Sequence, residues 1–138
     1  MRVVLDTNVI VAAFATQGLC HALLEVCVDQ HELQLSPTIL KEVEAALQKK
    51  LKVPPSVVKD VTEYLSKHAR LQKPGHLEKP VSRDASDDHI LALAQRSQAE
   101  YIITGDEDLI VLREYKGVPI VLPRTFWEIL KNKGSRTE

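Results

Sequence analysis

Three short runs of β-branched and aliphatic residues, RVVL at 2–5, YII at 101–103 and VPIVL at 118–122, read as buried strands. Between them the period changes. The stretches LCHALLEVCVDQ, TILKEVEAALQKKL, PSVVKDVTEYLSKHA and DDHILALAQRS each place apolar residues at i, i+3, i+4 and i+7. Short apolar strands alternating with amphipathic helices predict an α/β fold, with a parallel sheet covered by helices on both faces. The punctuation agrees: Ser36-Pro37 opens one helix, and Pro54-Pro55-Ser56 separates the next two. Residues 70–83 have no periodicity and carry two prolines and a glycine, which predicts a loop with one or two short strands.

A chain of 138 residues is long enough for one domain around one core. We place that domain at 1–132 and read 133–138 as a flexible tail. With 44% hydrophobic and 27% charged residues, and no apolar run near the roughly 20 residues that span a bilayer, the composition is that of a globular protein outside the membrane. Asp6, Thr7 and Asn8 interrupt the first apolar stretch, so it lacks a signal-peptide core, and the expected location is cytoplasmic. Cys20 and Cys27 are seven residues apart in a helical pattern, about 10.5 Å of rise. That is too far for a disulfide, and both are expected to be buried thiols. The net charge of −1 means that any binding of nucleic acid must come from a local patch or from metal ions.

The acids carry the functional signal. In open α/β sheets ligands bind at the carboxyl ends of the strands, where Asp6 follows VVL and Asp106 follows YIITG. Each residue alone could equally cap the helix that follows it. In SDDHILALA, Asp87 falls on the stripe of Ile90, Leu91 and Ala94, whereas Asp88 points away from it, and Asp84 and Asp88 read as solvated or capping residues. Glu42 lies at the edge of a face formed by Ile39, Leu40, Val43 and Leu47, a border position at which periodicity alone favours a solvated glutamate.

If Asp6, Glu42, Asp87 and Asp106 converge, their mutual repulsion would keep some of them protonated near neutral pH unless a divalent cation relieved it. A carboxylate set without cysteine suits Mg²⁺ or Mn²⁺ rather than structural zinc. Such ions activate water and neutralise charge on a phosphodiester during transfer.

The segments VVLDTNVIVAAF, SPTILKEVEAAL, SRDASDDHILALA and YIITGDEDLIVL resemble, in order and spacing, those of the PIN-domain ribonucleases. The likeness runs from Asp6 to VPIVLPRTFWEIL and is strongest to the toxins of bacterial and archaeal toxin–antitoxin pairs, relatives of VapC. It implies a three-layer α/β/α domain and metal-dependent cleavage of single-stranded RNA by three or four acids, matched here by Asp6, Glu42, Asp87 and Asp106. It also implies an antitoxin partner and a homodimer. Asn8 and Thr104 match polar positions beside the family's acids, where they could orient carboxylates or the attacking water, and Asp108 is an alternate metal ligand. Close relatives often carry a proline where this chain has Ala85, and a basic or aromatic residue at His89.

Arg83 leads directly to Asp87 and is the cation best placed to meet substrate, while Lys49, Lys50 and Lys52 read as a solvated helix end favoured by the dipole. His21, His31, His68 and His76 have no partners at ligand spacing, and His89 adjoins the acids. With 4% aromatic residues a base-stacking platform is poorly supplied, and Phe126 and Trp127 fall on an apolar stripe with Ile129 and Leu130 suited to packing. Two other function classes compete with the nuclease. One is a catalytically weak module that binds RNA or protein and keeps a cation site. The other is a phosphatase with a strand-end Asp nucleophile, which commonly needs a second Asp two residues later, where this chain has Asn8.

Overall fold

The computed structural model describes residues 1–72 and 87–136. Its strands are β1 (Arg2–Leu5), β2 (Glu32–Leu35), β3 (Arg70–Leu71), β4 (Tyr101–Ile103), β5 (Glu114–Tyr115) and β6 (Val118–Val121). They form one sheet in the order β3-β2-β1-β4-β6-β5. Every ladder is parallel except that of β5 with β6. The helices that flank the sheet are α1 (Thr7–Ala15), α2 (Leu19–Gln30), α3 (Pro37–Lys49), α4 (Pro55–His68), α5 (Asp88–Ser97), α6 (Glu107–Ile110) and α7 (Pro123–Arg136). The mostly parallel α/β architecture is therefore as expected, and α7 continues into the segment read from sequence as a tail.

Strand β1 lies in the interior of the sheet, where Val3, Val4 and Leu5 are fully buried, as a strand covered on both faces requires, while the charged Arg2 stays at its partly exposed start. The same core cluster takes Ile10, Leu23, Ile39, Leu65, Leu91 and Phe126, one from each of six helices. The helix signals act as read. Ser36 caps α3 by accepting the Ile39 N–H at 3.2 Å, a bond worth about 1 kcal/mol, and Pro37 occupies the first helical position. Phe126 belongs to the core, and Trp127 packs partly buried against it. Both cysteines are free, and burial pushes the Cys27 thiol up to about 12. Among the described residues, no single helix is long and apolar enough to cross a membrane.

Two strands were not foreseen. In β2 the fully buried Gln34 breaks the apolar run; its side-chain carbonyl accepts a hydrogen bond from Gln72 beside β3. Strand β5 has only two residues and exists through its hairpin with β6, where Lys116 and Gly117 both take positive φ, 49° and 84°. This is the backbone of a tight primed turn, in which glycine is unstrained. A short strand was expected somewhere in 70–83; β3 supplies one, and the remainder of that stretch lies outside the described residues.

The sheet order fixes where a site can form. The chain leaves β1 for β2 on one side and later places β4 on the other. The carboxyl ends of β1 and β4 thus border a crevice at which the strand order switches.

Candidate active site

The first residue beyond β1 is Asp6, and its backbone starts α1: its carbonyl accepts the N–H groups of Val9 and Ile10 at 3.0 and 3.2 Å. Its side chain makes no capping bond. Instead Asp6 Oδ2 accepts the Thr104 hydroxyl at 2.7 Å. The cap and site readings of Asp6 therefore divide between its backbone and its carboxylate. Thr104, fully buried after β4, uses the same oxygen to accept the Asp106 N–H at 2.9 Å. Asp106 Oδ1 in turn accepts the Asp108 N–H at 2.8 Å, which caps the short α6 and fixes the carboxylate. Strands β1 and β4 are thereby tied together by a chain of hydrogen bonds running through both strand-end acids.

A second set of contacts holds Glu42 of α3. The Thr7 hydroxyl donates to Glu42 Oε1 at 2.7 Å, and His89 Nε2 meets the same oxygen at 3.1 Å. Glu42 is 39% exposed, as its border position suggested, but two side chains from α1 and α5 fix its orientation. His89 Nδ1 is buried and makes no hydrogen bond among the described residues, so the ring's polar contact there is the one to Glu42.

Asp87 stands at the start of α5, buried and without a side-chain capping bond. One cleft of about 400 Å³ is lined by Asp6, Glu42, Asp87 and Asp106, together with Asn8 and His89. Four carboxylates from four distant segments thus meet in a single cleft. Asp87, Asp106 and Asp108 each offer an oxygen, all within 4.8 Å of one another, whereas Asp6 and Glu42 line the cleft without joining that close group. Three carboxylate oxygens this close are an all-oxygen donor set of the kind that the hard ions Mg²⁺ and Mn²⁺ take.

The electrostatics agree. Burial pushes the Asp6 carboxyl above its ordinary value, and repulsion from Asp106 and Glu42 adds to the shift. The hydrogen bonds from Thr104 and from the Thr7 amide oppose it. A cation in the cleft would favour the ionised acid that burial disfavours.

Asn8 lines the cleft in an exposed position, and no hydrogen bond joins it to Asp6; Thr104 performs that contact. Arg83, Asp84 and Ala85 lie outside the described residues. Sequence reasoning did not single out Thr7. Its one available signal was its place next to a strand-end acid. Lys49 and Lys50, read as a solvated helix end, line the same cleft as the acids.

The sequence matches the PIN domain over residues 2–108. The chain belongs to the PIN domain family. Two solved structures share the PIN fold with it. One is VapBC2 from Rickettsia felis bound to a DNA fragment from their promoter: 14% identity, TM-score 0.64, covering 88% of this chain and 98% of that one. The other is VapC20 of Mycobacterium tuberculosis, a Sarcin-Ricin loop cleaving toxin: 12% identity, TM-score 0.58, covering 85% and 98%. No curated protein matches this PIN chain by sequence.

Proposed function

We propose that this PIN domain is a divalent-metal-dependent endoribonuclease that hydrolyses phosphodiester bonds in single-stranded RNA, as the toxin of a toxin–antitoxin pair. The observation that carries the reading is the convergence of Asp6, Glu42, Asp87 and Asp106 in one cleft at the carboxyl ends of β1 and β4. Its likeness in fold to a VapBC assembly and to a cleaving toxin supports the biological setting.

In this reading Asp87 and Asp106 hold Mg²⁺ or Mn²⁺, with Asp6 and either Glu42 or Asp108 completing the set. The cation supplies activation of water and neutralisation of the charge that builds on the phosphodiester. The chain's own residues supply position. Thr104 sets the Asp6 carboxylate, and Thr7 with His89 sets Glu42, whose second oxygen orients the water that attacks in line with the leaving oxygen. Arg83, in the segment leading to Asp87, contacts substrate, and Asn8 offers its amide at the cleft rim. An antitoxin partner, a homodimer and a cytoplasmic site of action belong to the same proposal.

The test separates binding from turnover. A fluorescent single-stranded RNA is titrated with the protein while Mn²⁺ is varied, with anisotropy reporting binding and gel analysis reporting cleavage. The proposal expects both, with cleavage abolished in Asp87→Asn. Binding without turnover at every Mg²⁺ and Mn²⁺ concentration would replace the enzyme with a binding module.

A further inference from the structure

Helix α3 and its C-cap residue Lys50 present Glu42, Ala45, Ala46, Lys49 and Lys50 to the cleft. These positions are i, i+3, i+4, i+7 and i+8, so they form one stripe along the helix, beside the buried face of Ile39, Val43 and Leu47. The stripe runs from acid to base. Glu42 stands among the carboxylates, and Lys49 lies about 10.5 Å further along the axis. Between them the wall carries only two methyl side chains, which leaves room for a strand to lie against it. Among the described residues neither lysine is in an ion pair. The helix dipole accounts for basic residues in a last turn but does not choose their face. Here two of them share the cleft of the acids.

A cleft lined by four carboxylates repels a polyanion everywhere except where cations sit, and the chain's net charge of −1 supplies no general attraction. We propose that Lys49 and Lys50 bind the phosphates next to the scissile one, so that the RNA strand runs along α3 from the carboxylates towards the helix's C-terminal end. The inference rests on the ribonuclease reading and adds to it the path of the substrate. Recognition of this kind follows the backbone rather than the bases, as a charged groove does.

Lys52 provides the control, because it carries the same charge two residues later, where the backbone has turned to φ 51°, and does not line the cleft. The experiment measures kcat and KM for cleavage of a single-stranded RNA oligonucleotide in Mn²⁺ across a range of NaCl. It compares the wild type, the double variant K49Q/K50Q and K52Q. The proposal expects KM of the double variant to rise on the order of tenfold at low salt, with kcat changed less than about twofold. The slope of log KM against log salt should fall by about 1.4, since each single-strand phosphate contact contributes about 0.7. K52Q should behave as wild type. Wild-type cleavage with KM and salt slope unchanged in the double variant overturns the path and leaves the ribonuclease reading standing. Equal effects from K52Q reduce it to general charge and also overturn it. A wild type that cleaves no RNA removes the reading and the path together.

Discussion

Replacing Thr104 by valine removes one oxygen and leaves the shape of the side chain, at a position with no exposure to water. That oxygen makes two hydrogen bonds, donating to Asp6 Oδ2 at 2.7 Å and accepting from the Asp106 N–H at 2.9 Å. A bond to an ionised group contributes about 1.5–3 kcal/mol and an ordinary one about 0.5–1.5, so Thr104→Val should destabilise the fold by about 2–4.5 kcal/mol. The loss should depend on pH. Burial holds the Asp6 carboxyl above its unfolded value, and removing a hydrogen bond that lowers it shifts it further up. An acid raised in the folded state contributes stability below its unfolded value, about 3.9, and that stability is lost as pH rises through the folded value. Thr104→Val should therefore cost more at pH 8 than near pH 4. Urea unfolding in EDTA at the two pH values measures this, with Thr104→Ser, which keeps the hydroxyl, expected to lose only about 0.5–1.5 kcal/mol for its missing methyl. A valine variant as stable as wild type at pH 8, or one equally destabilised at both pH values, would show that Thr104 does not hold the Asp6 carboxylate.

Asp6→Asn should be more stable than wild type in EDTA at pH 8 and no more stable near pH 4, because only the wild type loses stability on ionising; each unit of upward shift corresponds to about 1.4 kcal/mol, and thermal unfolding across pH reads the difference. The same variant should lose RNA cleavage, so stability and activity move in opposite directions. At His89, glutamine places an amide nitrogen near Nε2 and asparagine does not, so His89→Gln should retain cleavage while His89→Asn loses roughly tenfold or more, a ranking that kcat for the two variants tests. Cys27, buried and with its thiol pushed up to about 12, should resist iodoacetamide in the native protein at pH 8 and react only on unfolding, as labelling followed by mass spectrometry would show.

The parts of this molecule that were legible in the sequence are those written in local patterns. Helical stripes marked α2 to α5 within two residues at either end, because their buried faces are set by a 3.6-residue period. Asp6 and Asp106 were placed at strand ends by the same local reasoning. Strand β2 escaped because Gln34, buried through a partner 38 residues away, breaks the apolar run. Thr7 escaped for a similar reason: its hydroxyl serves a carboxylate 35 residues on, and nothing in its neighbourhood records that contact. Periodicity left Glu42 on the solvated edge of its helix, and family likeness alone raised it; the bonds from Thr7 and His89 supply the physical reason that a half-exposed glutamate can hold one orientation. Lys49 and Lys50 look like an ordinary helix end in the sequence, because a sequence shows which turn a lysine occupies but not which cleft lies beside it.

In the proposed function, acids from distant segments form one cation-dependent hydrolytic site. The decisive quantity is the initial rate of single-stranded RNA cleavage as Mn²⁺ is added to EDTA-stripped protein, for the wild type and for Asp106→Asn. A cation-dependent site gives no cleavage without the cation, saturable cleavage by the wild type as Mn²⁺ rises, and little or none by the variant at any concentration. Cleavage that persists in EDTA, or that survives in a folded Asp106→Asn protein at the wild-type rate, would contradict it.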